Sequence, residues 1–288
     1  MKIANLWQEY KIIDASNGMK LESWGNINLL RPDPQVIWNN GNLEEKYKNI
    51  NAVYYRSNQG GGHWENIKKT PSVWNVHYKD LTFKIKQMGF KHTGLFPEQA
   101  VNWDFIMDKI KNSKREIKVL NLFAYTGGAS VASLKAGASV VHVDSSRGMV
   151  DWAKENVEVS GLKDRPIRYL VDDVFKFVRR EIRRGNHYDA IIMDPPSYGR
   201  GANGEVWDIL KDLDSFVSLC RQLLSNKPLF FLINSYSSGL SKEIIANLYK
   251  IHFKDLPGTI DCDEIGLKIE NSNLVLPCGV AGRYIFDE

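Results

Sequence analysis

The chain has 288 residues, 43% hydrophobic and 25% charged, enough to bury one large core or two smaller ones, so two domains of unequal size are expected. No apolar run approaches membrane-spanning length, no long apolar segment follows Lys2, and the three cysteines (Cys220, Cys262, Cys278) are too scattered for a disulfide framework or a zinc knuckle. A cytoplasmic protein with no membrane partner and no metal is the expectation. The net charge of +4 is unevenly placed: residues 1–100 hold 13 Lys and Arg against 9 Asp and Glu, whereas 101–288 hold 25 of each. That excess suits an anionic partner such as RNA near the N-terminal third, and a slightly basic solvated surface accounts for it equally well.

In chain order, Tyr10–Ile13, Lys20–Trp24 and Ile27–Leu30 read as short strands, separated by the turn signals Asn17-Gly18 and Gly25-Asn26. Arg31-Pro32-Asp33-Pro34 interrupts regular structure, and Gly60-Gly61-Gly62 reads as a flexible loop, because no Gly-Lys-Ser/Thr follows to make a phosphate cradle. Trp74–His77 and Leu81–Lys86 form a hairpin pattern. Basic residues interleave there with Trp64, Trp74, Tyr78 and Phe83, a composition that can stack single-stranded nucleic acid but that more simply builds a small β core. We therefore expect a β-rich N-terminal domain over residues 1–90, serving as substrate-binding module or lid, and a second domain over 91–288.

From Lys91–Gln99 onward a helical pattern runs through Trp103, Ile106 and Ile110, and strands then alternate with helices. The strands are Lys118–Phe123, Ser139–Val143, Ile167–Leu170, Ala190–Met193 and Leu229–Asn234. The helices are Ala129–Ala136, Met149–Val159, Val174–Arg184 and Leu210–Leu224. Such alternation predicts a doubly wound parallel sheet with its ligand crevice at the carboxyl ends of the strands. Glu264–Ile269 and Leu274–Ala281, joined across 270–273, close the edge as an antiparallel hairpin.

The chemistry concentrates at those carboxyl ends. Val119–Gly128 is an apolar strand that stops at two glycines, a strand-to-helix turn of the kind that admits a nucleotide-like ligand. Asp144 ends the next strand, where a carboxylate can accept from both ribose hydroxyls or cap the following helix. Adjacent Gly127-Gly128 without a third glycine in register does not make the pyrophosphate turn of a dinucleotide site, which disfavours an NAD-linked oxidoreductase. A ribose without pyrophosphate fits better, and S-adenosylmethionine is the commonest such ligand. After the third strand, one carboxylate of Asp172-Asp173 can cap the next helix while the other meets a ligand amine. That helix carries Lys176, Arg179, Arg180, Arg183 and Arg184 as a basic stripe, for which a solvated face is the ordinary account.

Asp194-Pro195-Pro196-Ser197-Tyr198 follows the fourth strand. The two prolines extend the backbone and remove donors, which leaves carbonyls to accept from a planar amine; Asp194 can accept as well, and Tyr198 can stack on a base. The segment Gly199–Gly204 beyond it has the composition of a lid, with Glu205 and Trp207 at its far end.

With these elements in this order, residues from about 90 to 285 resemble a class I S-adenosylmethionine-dependent methyltransferase. Within that class they resemble the large-subunit ribosomal RNA methyltransferases, a family that includes the 23S rRNA cytosine-C5 enzymes. The matching pieces are Thr93–Gln99, Asn121–Gly128, Val143-Asp144, Asp172–Phe175 and Asp194–Tyr198. The resemblance implies a Rossmann-like α/β fold, a doubly wound seven-stranded sheet. It also implies a cofactor site drawn from Thr93, Phe96 and Gln99, then Phe123, Ala124, Tyr125, Thr126 and Gly127, then Asp144, Ser145, Asp172, Asp173 and Asp194, with Asp173 on the adenine side. Asp194, Pro195, Pro196 and Tyr198 are the catalytic candidates.

The family's cytosine enzymes place an attacking cysteine after the fifth strand, and this chain reads Asn234-Ser-Tyr-Ser-Ser-Gly-Leu240 there. Attack on cytosine C6 needs a thiolate; Ser235 and Ser237 are weak substitutes, and Cys278 reads as a strand cysteine. The reading is thus a methyltransferase acting on RNA, at a base nitrogen. Methylation of a protein or small molecule, and a non-catalytic RNA-binding protein that keeps the pocket, are the alternatives.

Overall fold

A computed structural model describes residues 1–201, 204–270 and 272–287. Two compact units emerge, Met1–Ala100 with Ile265–Cys278 and Val101–Glu264 with Gly279–Glu288. The first unit therefore extends past residue 90 and takes in a stretch of the C-terminal hairpin.

The first unit begins with β1 (Lys2–Ile3), which runs parallel to residues 265–266, and continues through β2 (Tyr10–Ser16), β3 (Met19–Trp24) and β4 (Ile27–Pro32). Asn17 and Gly18 both adopt positive φ, 49° and 76°, and so make the tight turn that their sequence announces between β2 and β3. After α1 (Leu43–Lys46), β5 (Ala52–Arg56) and β6 (Gly62–Asn66) complete a five-stranded sheet ordered β2-β3-β4-β5-β6. The glycine run at 60–62 is thus the turn of the β5–β6 hairpin, a strand pair that apolar periodicity does not reveal. A separate hairpin joins β7 (Trp74–Tyr78) to β8 (Leu81–Ile85). Leu21, Leu30, Leu43, Ile50 and Val53 form the core of the larger sheet. The indole N–H groups of Trp7, Trp38, Trp64 and Trp74 each donate to a backbone carbonyl within the unit, so these rings act as structural members.

Beneath the sheet lies a closed charge cluster. Glu22, fully buried, accepts from both the Nε and Nη2 of Arg31, the latter at 2.9 Å, and from the Tyr10 hydroxyl at 2.6 Å. Lys20 stands 3.4 Å from the same carboxylate and 3.0 Å from Asp33. Burial works against ionised Glu22, but Arg31 and Lys20 outweigh it and hold the carboxyl down to about 2.

The second unit opens with α2 (Ala100–Asn112) and then alternates: β9 (Lys118–Leu122), α3 (Gly128–Lys135), β10 (Ser139–Asp144), α4 (Arg147–Val159), β11 (Ile167–Val171), α5 (Val174–Arg184) and β12 (Ala190–Met193). A short pair, β13 (Tyr198–Arg200) and β14 (Val206–Asp208), precedes α6 (Ile209–Arg221), β15 (Phe230–Ser235) and α7 (Lys242–His252). The hairpin β16 (Gly258–Lys268) and β17 (Val275–Phe286) ends the chain. The sheet runs β11-β10-β9-β12-β15-β17-β16-β1, eight strands where seven were expected because β1 adds beyond β16; it is parallel as far as β15 and antiparallel between β15 and β17. Strand order reverses between β9 and β12, the switch point where open α/β sheets hold ligands. The central strands β9, β12 and β15 read as continuous apolar runs because both sheet faces are covered: Leu120, Ile191 and Phe231 are fully buried, as are Phe177 of α5 and Phe216 of α6. Helix α7 is absent from the sequence reading, although Ser241 ahead of Ile245, Ala246 and Tyr249 carried its signal. The expected turn at 270–273 includes Asn271, which lies outside the described residues.

Among the described residues, no helix is long and apolar enough to cross a membrane, and no group of three or more His, Cys, Asp or Glu is placed to hold a metal.

Candidate active site

The turn after β9 is built from left-handed backbone. Phe123 and Tyr125 have φ of 52° and 51°, and Gly127, the N-cap of α3, has φ of 84°. Two non-glycine residues in this region cost on the order of 1 kcal/mol each, strain that persists only where surrounding bonds enforce it. Those bonds are present. The Ala124 N–H donates to the Val143 carbonyl at 3.1 Å, the Tyr125 N–H to Asp144 Oδ2 at 2.8 Å, and Asn156 Nδ2 to the Thr126 carbonyl at 2.8 Å. Gly127 is required twice over, since a Cβ there would lie 2.9 Å from that of Ala153.

Asp144 accepts from two backbone N–H groups, Tyr125 on one oxygen and Ser146 on the other at 2.9 Å. It is not the helix cap; Ser146 holds that position in α4. Burial raises its pKa against the opposing pull of the two N–H bonds. Each oxygen keeps a second acceptor site.

A cleft opens at the carboxyl edge, lined by Phe123, Asp144, Ser145, Asp173, Val174, Phe175 and Pro196 on the sheet side. Gly199, Arg200, Gly201, Glu205, Val206 and Trp207 line the other side. Asp173 caps α5, accepting from the Lys176 N–H at 2.9 Å, and lines the cleft as well. Asp172 turns instead to an ion pair with Arg180 and is not among the lining residues. The aromatic wall is continuous: the Trp207 ring centroid lies 4.8 Å from that of Phe123 and 5.9 Å from that of Phe175, and Phe216 stands behind all three.

Trp207 Nε1 donates to the Pro196 carbonyl at 2.7 Å, so this oxygen already holds a donor from within the protein. The Ser197 carbonyl takes the Ile209 N–H, and the Ser197 hydroxyl meets that of Ser237 at 2.5 Å. Tyr198 is exposed and begins β13. The expected lid is a hairpin, β13 paired with β14, anchored by the Trp207 bond and by an ion pair between Lys176 and Glu205; residues 202 and 203 of that segment lie outside the described residues. Of the remaining candidates, Ala124, Tyr125, Thr126 and Gly127 shape the turn, and Asp194 and Pro195 lead from β12 into the proline segment. Thr93, Phe96 and Gln99 belong to the first unit. Thr93 is fully buried there, and the Phe96 ring packs at a 57° tilt against that of His92, 5.5 Å between centroids, ahead of a single 3-10 turn, Pro97–Gln99.

Sequence reasoning did not name Val174, Phe175 and Val206 as lining residues, because only tertiary packing brings them to the cleft. It also missed a buried chain beneath the turn: Asn121 Nδ2 donates to Ser130 Oγ at 2.9 Å, and Ser130 Oγ lies 2.9 Å from His142 Nδ1. Burial pushes His142 down to about 3, so the ring is neutral.

A family model described as S-adenosylmethionine-dependent methyltransferase matches residues 23–234. Among solved structures, a SAM-dependent methyltransferase from Agrobacterium tumefaciens is 33% identical, with 97% of this chain and 91% of that one covered at a TM-score of 0.92. Among curated proteins, ribosomal RNA large subunit methyltransferase I of Aeromonas salmonicida is 32% identical over 202 residues, 67% of this chain and 49% of that protein. Ribosomal RNA large subunit methyltransferase K/L of Pseudoalteromonas atlantica is 33% identical over 156 residues, 54% of this chain and 21% of that protein. The chain spans about half or less of the length of these curated relatives.

Proposed function

The chain belongs to the S-adenosylmethionine-dependent methyltransferase family, and from that premise we propose that it methylates a base of large-subunit ribosomal RNA, at a ring or exocyclic nitrogen. The cleft residues fit the cofactor. Asp144 has acceptor capacity left for a ribose diol, Asp173 offers a carboxylate to an adenine amine, and Val174, Phe175 and Phe123 supply flat apolar walls. When bound, the cofactor supplies an electrophilic methyl on a sulfonium centre.

The chain's own residues then bind and align. The strained turn from Phe123 to Gly127, with Ser145, holds the ligand against the sheet edge. Asp172, through Arg180, braces the start of α5. Asp194 and the Pro195 carbonyl accept from the base amine, which keeps the acceptor lone pair in line with the departing sulfur; Tyr198 stacks beside it. Catalysis of this kind rests on proximity and orientation.

The observation that carries the nitrogen assignment is the segment after β15. Its side chains there are Asn234, whose amide oxygen accepts from Asn102 Nδ2 at 2.8 Å, buried Ser235, and Ser237 bonded to Ser197. None is a thiol. Of the three cysteines, Cys262 lies in β16 rather than after β15, Cys220 is buried in α6 and Cys278 is half-buried in the first unit, and burial pushes the Cys220 and Cys278 thiols well above their usual range, away from the thiolate that C6 attack needs. The names of the curated relatives support RNA as the acceptor class, and an rRNA acceptor would locate the protein in the cytoplasm. Nucleoside mass spectrometry of large-subunit rRNA from cells with and without the protein tests the proposal: one N-methylated base should vanish without it, and an unchanged nucleoside profile contradicts it.

A further inference from the structure

Arg179 and Arg183 of the basic stripe on α5 have no role in the account above, and the stripe's composition is unlike that of an ordinary solvated helix face, where the two signs alternate. Residues 165–184 hold seven Lys and Arg against three Asp and Glu, a net +4 that equals the charge of the whole chain. Three like-charge pairs stand at i, i+4: Lys176 with Arg180, Arg179 with Arg183, and Arg180 with Arg184. Each costs the helix about 0.2–0.5 kcal/mol, so the stripe opposes the fold that carries it. Internal pairing relieves part of this, with Lys176 on Glu205, Arg180 on Asp172 and Arg184 on Glu181. Arg179 and Arg183 are exposed, and no acid lies within ion-pair distance of either among the described residues. The Arg179 guanidinium lies 5.4 Å from the Phe175 ring centroid, and Phe175 lines the cleft. The stripe therefore starts at the rim of the candidate active site, where Arg200 adds a further cation, and leads away from it along the helix.

We propose that this face of α5, through Arg179 and Arg183, docks the phosphate backbone of the RNA whose base enters the cleft. The inference rests on the RNA reading above. Guanidinium groups are suited to it because each offers a planar fork of donors to a phosphate, and four of the five stripe residues are arginine. Contacts of this kind add affinity without reading sequence and leave base selection to the cleft.

The test uses the full chain carrying Arg179→Gln and Arg183→Gln together; both sites are exposed and glutamine is a good helix former, so the fold is kept. Binding to a fluorescein-labelled single-stranded RNA is measured across a salt series, with cofactor affinity and methyl transfer into large-subunit rRNA measured in parallel. The log–log salt slope should become shallower by about 1.4, at about 0.7 per lost phosphate contact. KM for the rRNA should rise severalfold, with kcat and cofactor affinity unchanged. A control pair with the same charge loss, Lys111→Gln with Lys250→Gln, should leave the slope at the wild-type value. An unchanged slope in the α5 variant, or an equal change in the control, overturns the docking surface. Wild-type protein that transfers no methyl to RNA overturns the RNA reading itself, whereas wild-type transfer that the α5 variant matches overturns only the surface.

Discussion

The backbone N–H of Tyr125 donates to Asp144 Oδ2 at 2.8 Å, which ties the turn after β9 to the end of β10. Tyr125 is one of the two left-handed non-glycine residues of that turn, and this bond is among those that hold it there. Asp144 is thus both a brace of the strained turn and a wall of the cleft. The two duties explain why a carboxylate, with two acceptor sites on each oxygen, occupies the position.

Replacing Asp144 by Asn keeps the size and removes the charge. Bonds to a charged group contribute about 1.5–3 kcal/mol, so cofactor affinity measured by calorimetry should fall by about 10- to 100-fold. Because burial raises the Asp144 pKa, wild-type affinity should begin to fall with acidification at a higher pH than an ordinary aspartate would dictate. An affinity unchanged by Asp144→Asn removes Asp144 from the site.

Gly127 and Gly185 separate strain from crowding. Both have positive φ, 84° and 68°, but an added Cβ meets Ala153 at 2.9 Å in the first case and nothing within 4 Å in the second. Gly185→Ala should cost about 1 kcal/mol in denaturant unfolding, the conformational term alone. Gly127→Ala should cost clearly more and also weaken cofactor binding. Equal losses would mean that the packing against α4 carries no weight.

Trp207→Phe keeps a ring against Phe123 and Phe216 and deletes the bond to the Pro196 carbonyl. A neutral hydrogen bond contributes about 1 kcal/mol, so amide exchange in residues 198–201 and 204–208 should quicken about fivefold, with global stability little changed. Exchange at the wild-type rate would show that the hairpin is anchored elsewhere.

The charge cluster of the first unit makes a pH prediction. The Glu22 carboxyl sits near 2 in the fold against 4.5 as the ordinary value, so its lowered pKa contributes stability that is present above about pH 4.5 and lost as pH falls toward 2. The shift corresponds to something on the order of 3 kcal/mol. Glu22→Gln should flatten the stability profile in that window and destabilise the protein at neutral pH, because it leaves Arg31 buried without its partner. A variant with the wild-type acid profile contradicts this account.

The legible parts of the fold were those written locally. Asn17-Gly18 announced its turn, apolar runs such as Ala190–Met193 announced buried parallel strands, and Gly127, Asp144 and Asp194-Pro195-Pro196 marked the carboxyl edge at the switch point. Hidden parts depend on contacts distant in sequence. Nothing around Trp207 says that its indole will meet Pro196, and nothing around Phe175 says that it will face Trp207. The left-handed backbone of Phe123 and Tyr125 was also invisible, because neither residue type favours it and the bonds to Val143 and Asp144 impose it. The Pro196 carbonyl illustrates this: proline chemistry marked it as an acceptor, and only the fold shows that one of its two acceptor sites takes the Trp207 indole N–H.

The central claim, methylation of an RNA base at nitrogen, is tested most directly by reconstituted transfer. Purified protein, methyl-labelled S-adenosylmethionine and large-subunit rRNA from cells lacking the protein are combined, and the product nucleosides are identified by mass spectrometry. The account predicts label in a single N-methylated base, with transfer reduced by about two orders of magnitude or more in Asp194→Ala as alignment is lost. Label found entirely in 5-methylcytosine, and retained in Cys278→Ala, would contradict it.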